Sequence, residues 1–165
     1  MNALVIDSFE FCRLKEHQNG ELTIAALPRL AKEAVDDTGS IAWSLQGNKD
    51  NPGQFQLTLK IDGLIKLTCQ RCLTPLDFNI SSQSILILAR DEDEADQLNE
   101  SLDNDEIDVI VGSKAMQVAD LVEDEALLAI PLSARHDVCP DEQITALLNA
   151  IEKPSAFAAL KDLKL

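Results

Sequence analysis

From Phe55 to Cys69 every second residue is apolar or glycine: Phe55, Leu57, Leu59, Ile61, Gly63, Ile65, Leu67 and Cys69. A period of two is that of a β-strand with one buried face. A slip of one position would turn the whole apolar set outward, so an unbroken phase argues for one continuous strand. The stretch also contains Asp62-Gly63, a strong signal for a two-residue hairpin turn. A turn there would set Ile61 opposite Leu64, but also Leu59 opposite Lys66 and Leu57 opposite Thr68, apolar against polar. One long strand, bent or bulged near Gly63, is the better reading. After Pro75 the chain alternates again, with Leu76, Phe78, Ile80, Leu86 and Leu88 on one face. This second strand returns antiparallel to the first and leaves "CQRC", residues 69–72, at the tip of a long hairpin.

The flanking sequence supplies the rest of the domain. "SIAWSLQG" is a half-buried strand carrying Ile41, Trp43 and Leu45, and "NKDNPG" is a turn. Leu27, Leu30, Ala31, Ala34 and Val35 have helical spacing, with Pro28 in the first turn and Gly39 beyond the end. Between Asp91 and Asp108 stand ten acidic residues and no basic one, which predicts an acidic flexible loop at about residues 90–106. Ile107–Val111 follows as a short strand. Val118, Leu121, Val122, Ala126, Leu128 and Ala129 form an apolar helical face, interrupted by Glu123, Asp124 and Glu125 and ended by Pro131. Those three acids read as a solvated face, or as a landing site for a basic partner. Asp141 can cap a further helix bearing Ile144, Leu147, Leu148 and Ile151. A last helix from about Ser155 carries Phe157, Leu160 and Leu163, in a tail expected to be mobile from about residue 153. The class is α+β: one domain over residues 1–165, an antiparallel sheet of about four strands with a long hairpin, packed by C-terminal helices.

Charge narrows the function. The chain carries 29 acidic and 14 basic residues, a net charge of −15. Such a surface repels nucleic acid and anionic membrane at long range and attracts basic proteins. Aromatic residues make up only 4%, few platforms for stacking bases. No stretch approaches the roughly 20 apolar residues of a membrane span, and the N-terminus lacks the pattern of a signal peptide. A cytoplasmic location is expected. There is no Gly-rich phosphate loop, G-x-S-x-G or H-E-x-x-H. The only inexpensive nucleophile pair, Cys139 with His136, has no orienting third group, so no catalysis and no small-molecule substrate are expected.

In a cytoplasmic protein, cysteines point to metal, redox chemistry or burial rather than to structural disulfides. Cys69-x-x-Cys72 is unspecific alone. His136-x-x-Cys139, 64 positions after Cys72, supplies a second pair of soft ligands. Together the four could hold tetrahedral zinc and tie the hairpin tip to the C-terminal half. Thiols that merely pack, or sit exposed without a metal, are the competing reading and the one the residues alone favour. A dithiol–disulfide couple is the third, disfavoured because Cys69-x-x-Cys72 joins two strands rather than opening a helix. Cys12 has no nearby partner and reads as a half-buried bystander. Arg71 is a surface charge at a turn, or a contact to a carboxylate or phosphate.

Taken in order, "LTCQRCLTPL", the acid-rich stretch, "VEDEALLAIP", the His–Cys segment and "EKPSAFAAL" resemble the YceD family, the large ribosomal RNA subunit accumulation proteins. The resemblance runs from about Ile41 to the end of the chain. Cys69, Arg71, Cys72, Glu123, Asp124, Glu125 and Pro131 fall on the family's characteristic positions. Some members carry a richer cysteine cluster where this chain has His136 and Cys139. The resemblance implies a bacterial, non-enzymatic factor needed for normal accumulation or processing of large-subunit ribosomal RNA. With a charge of −15, such a factor is expected to act through a ribosomal protein or a large-subunit assembly factor, touching RNA indirectly.

Overall fold

The computed structural model describes residues 4–50, 53–102, 104, 106–140, 146, 147 and 150. It is a mixed α+β fold built on one five-stranded sheet. The strands are β2 (His17–Thr23), β3 (Ser40–Asp50), β4 (Gln54–Thr68), β5 (Pro75–Ala89) and β6 (Ile107–Val111), adjacent in that order. The first four pair antiparallel and β6 joins β5 in parallel. A two-stranded ribbon pairs β1 (Val5–Ile6) with β7 (Met116–Gln117). The helices are α1 (Ser8–Arg13), α2 (Pro28–Glu33), α3 (Glu92–Ser101) and α4 (Val118–Ala129).

The long hairpin is present and unbroken. β4 pairs with β5 from Phe55↔Leu88 to Thr68↔Pro75 in one constant register. The apolar phase is buried over most of its length, by Leu57, Leu59, Ile61, Ile65 and Leu67 on β4 and Ile80, Leu86 and Leu88 on β5, with Phe55, Leu76 and Phe78 half-buried. Fifteen residues per strand at about 3.4 Å per residue give a hairpin about 50 Å long.

Gly63 does not mark a bulge, because the same register runs through it on both sides, with Ile41 and with Ile80. Its role is close approach. A Cβ there would lie 2.5 Å from the Ser40 carbonyl oxygen and 2.6 Å from Cδ1 of Ile41.

Four further expectations change. The sheet gains β2, whose "HQNGELT" is polar on both faces because it is an edge strand and mostly exposed. The acidic stretch contains α3 rather than a loop. Asp91 accepts a hydrogen bond from the Glu94 backbone N–H (2.8 Å), and Glu94 accepts one from the Arg90 N–H (2.7 Å). These two contacts, with acids in the first turn, favour a helix start despite the charge density. α3 packs on β5 and β6, where Ile87, Ala89 and Ala95 are buried. The third change is at Cys12, which is fully buried in the main core, its thiol donating to the Gln56 carbonyl at 3.2 Å. Burial pushes that thiol up to about 11.

The fourth concerns Glu123, which is not on a solvated face. It is 2% exposed and reaches from α4 to the N-terminus of α2. One carboxylate oxygen accepts from the Arg29 and Leu30 backbone N–H groups at 2.6 and 3.0 Å, and the other from Arg29 Nε at 2.8 Å. The first turn of a helix leaves N–H groups without internal partners, and α2 has no side-chain cap of its own. Glu123 fills that place and fastens α2 to α4. Asp124, exposed, adds a 2.6 Å bond from Arg29 Nη1. The helix capped by Asp141 shows only at residues 146, 147 and 150, and the last helix from Ser155 lies outside the described residues.

Burial raises the Glu123 pKa, but the Leu30 and Arg29 N–H groups and the guanidinium outweigh it and hold the carboxyl below its ordinary 4.5. A depressed carboxylate stabilises the fold above its unfolded pKa and loses that contribution as pH falls through the folded value. Glu123→Gln is therefore expected to cost about 1–3 kcal/mol at neutral pH, and its deficit against the native chain should shrink in acid. Urea titrations at pH 7 and pH 3.5 check this; a deficit that does not change with pH would refute it. Gly63→Val should destabilise by about 1–3 kcal/mol or more through overpacking, read in the same titration.

Candidate metal centre

The hairpin tip is a tight turn. Cys69 N–H donates to the Thr74 carbonyl (2.9 Å) and Leu73 N–H to the Cys69 carbonyl (2.9 Å). Leu73 takes a left-handed conformation, φ 60°, to bring the chain back into β5. A turn this tight places Cys69 and Cys72 side by side. Both are buried, together with Cys139 and separately from the main core.

The other half comes from the segment after α4. α4 ends at Ala129, with Ile130 extended as its C-cap and Pro131 next in the chain. The Gln70 N–H donates to the Ala134 carbonyl at 2.8 Å, pinning this segment to the tip. His136 and Cys139 thereby join the two hairpin cysteines, and the ligand atoms of all four lie within 4.8 Å of one another. Zinc bonds of about 2.3 Å to sulfur and 2.0–2.1 Å to nitrogen set tetrahedral ligands about 3.5–3.8 Å apart. A contraction of about 1 Å would close the set.

Three details fit a cation. Cys69 Sγ faces backbone donors, among them the N–H groups of Arg71 (3.4 Å) and His136 (3.5 Å). Cys72 Sγ lies 3.1 Å from the Thr74 hydroxyl and 3.4 Å from His136 Nδ1. His136 Nε2 sits 3.2 Å from the Pro75 carbonyl. A carbonyl accepts, so Nε2 carries the proton and Nδ1 is the nitrogen turned to the sulfurs, as metal-binding imidazoles require. The same donors act on the thiols. Burial raises Cys69, but the Cys72, His136 and Arg71 N–H groups overcome it and bring it down to about 5. The Thr74 hydroxyl lowers Cys72. Burial and then the neighbouring sulfurs raise Cys139, while the hydrogen bond to Cys69 leads in raising His136. The Cys3His set thus has two sulfurs predisposed to be thiolate, the form that ligates. These four residues could hold a metal ion, which would link the hairpin tip to the segment after α4.

The remaining signature residues are dispersed. Arg71 is exposed on the tip, contributing its backbone N–H to Cys69 rather than a side chain to the cluster. Glu123 and Asp124 hold α2. The Ser82 hydroxyl donates to Glu125. Sequence reasoning missed the link from Glu123 to α2, because nothing in "VEDEA" says which acid faces inward.

No solved structure matches the chain. The family model described as large ribosomal RNA subunit accumulation protein YceD matches residues 57–164, a span that begins in the long hairpin and takes in both halves of the cysteine–histidine cluster. The family is named for ribosomal RNA accumulation rather than for an enzymatic reaction. With its match extending over most of the described fold, the chain belongs to the YceD family.

Proposed function

We propose that the chain is a non-enzymatic, cytoplasmic factor in biogenesis of the large ribosomal subunit, supporting accumulation or processing of its RNA through protein partners. The observation that carries this is the family match over residues 57–164. The net charge of −15 supports the indirect route: long-range repulsion opposes RNA and favours basic proteins such as those of the ribosome. No described helix is long and apolar enough to cross a membrane. Depleting the protein should lower large-subunit ribosomal RNA relative to small-subunit RNA; an unchanged ratio would refute the reading.

A second reading is a zinc-binding protein-interaction adaptor without a ribosomal role. One observation favours its metal half, the convergence of Cys69, Cys72, His136 and Cys139. An affinity pull-down separates the two: ribosomal proteins or particles support the first, a single unrelated partner the second. In either case zinc would act as a structural cross-link. Protein purified without chelator is expected to hold about one zinc per chain, and Cys72→Ser to weaken zinc binding at least about tenfold. Metal analysis checks both; less than about a tenth of a zinc per chain would reject the site.

A further inference from the structure

The face between α4 and β6 carries an open groove of about 480 Å³, floored by Leu59, Leu86 and Ile110 and walled by Leu121 and Leu127. A second lobe of about 440 Å³ adjoins it. The two share Asp108, Glu125 and Leu128. Leu128 stands at the lip, 79% exposed on an otherwise well-packed helix. The rim is acidic on both sides: Glu106 and Asp108 from the β6 side, Asp124 and Glu125 from α4. No lysine or arginine lines either lobe. Asp124 is paired with Arg29 and Glu125 accepts from Ser82, whereas Glu106 and Asp108 are exposed with no ion pair among the described residues.

A further observation is independent of the charges. Ser84 lines the second lobe and is 8% exposed, and its hydroxyl has no hydrogen-bond partner among the described residues. A buried hydroxyl left unpaired is costly, and its place is ordinarily taken by a ligand group or water.

We propose that this groove docks a basic protein segment, with an aliphatic side chain entering between Leu128 and the sheet and flanking lysines or arginines on Glu106, Asp108 and Glu125. A backbone or side-chain polar group of the same segment would meet Ser84. The proposal rests on the reading that the chain acts through a basic partner, and it assigns that partner a place. An apolar floor with a carboxylate rim suits an amphipathic basic segment laid into a groove. It disfavours RNA, whose phosphates would face four carboxylates, and a second copy of a chain that is itself strongly acidic.

The test uses the full chain and, as probe, large-subunit ribosomal proteins freed of RNA. The native chain should retain a defined subset of them. Leu128→Asp, which alters an exposed side chain, and the double change Glu106→Lys with Asp108→Lys should each weaken that binding about tenfold or more, with thermal midpoints unchanged. The control double change Asp62→Lys with Asp77→Lys alters net charge equally on β4 and β5 away from the groove, and should leave binding within about twofold. Equal losses in both doubles would mean attraction by net charge alone and would overturn the proposal. So would loss of self-association in Leu128→Asp, or binding of free ribosomal RNA at the groove in place of protein. Complementation separates this from the functional reading. If depletion lowers large-subunit RNA and Leu128→Asp restores it as fully as the native chain, the groove is wrong and the function stands. If depletion changes nothing, the function is wrong, whatever the groove binds.

Discussion

The uninterrupted register between β4 and β5 governs the positions of everything else. Every pair from Phe55↔Leu88 to Thr68↔Pro75 obeys one alternation, so one face of a long ribbon carries the apolar residues, with Ser82 and Ser84 as the polar positions among them. That face is what α1 and α4 cover. It is also what carries the C-x-x-C turn out to a fixed point. One inserted residue anywhere in the ribbon would bring polar side chains into the core and move the cysteines away from His136 and Cys139.

The second constraint is electrostatic. A chain with a net charge of −15 would be expected to keep its carboxylates in water, yet Glu123 is buried. It is tolerable because both oxygens are fully occupied, by two backbone N–H groups and a guanidinium. A buried charge without such partners would be strongly destabilising. Here it replaces the missing cap of a six-residue helix that begins with proline. Apolar packing supplies the bulk of the stabilisation, while this contact fixes which turn of α2 meets which turn of α4.

Much of this was legible in the residues. The hairpin followed from period two alone, and the choice against a turn at Asp62-Gly63 followed from the mismatched pairs such a turn would create. The paired C-x-x-C and H-x-x-C spacings single out the same four residues that the fold brings together. What escaped has physical reasons. β2 is polar because it is an edge, so it has no apolar phase to read. α3 was hidden by composition, although Asp91 and Glu94 stand at capping-box spacing. Gly63 looked like a bulge because sequence cannot distinguish a bent backbone from one crowded by a neighbouring strand. The inward turn of Glu123 depends on α2, more than ninety residues earlier in the chain.

The hairpin also acts as a spacer. Leu59 floors the groove beside α4 and Cys69 begins the turn at the tip. Ten residue steps of extended strand separate them, about 33 Å. Strand β3 flanks β4 as far as Gly63 and β5 pairs with it to Thr68, so the ribbon has little freedom to shorten that interval. A body engaging both ends of the protein at once would have to offer two contacts at this separation, so the sheet sets the interval between two regions of unlike chemistry: one acidic and grooved, the other a small turn in which exposed Arg71 stands over buried sulfurs.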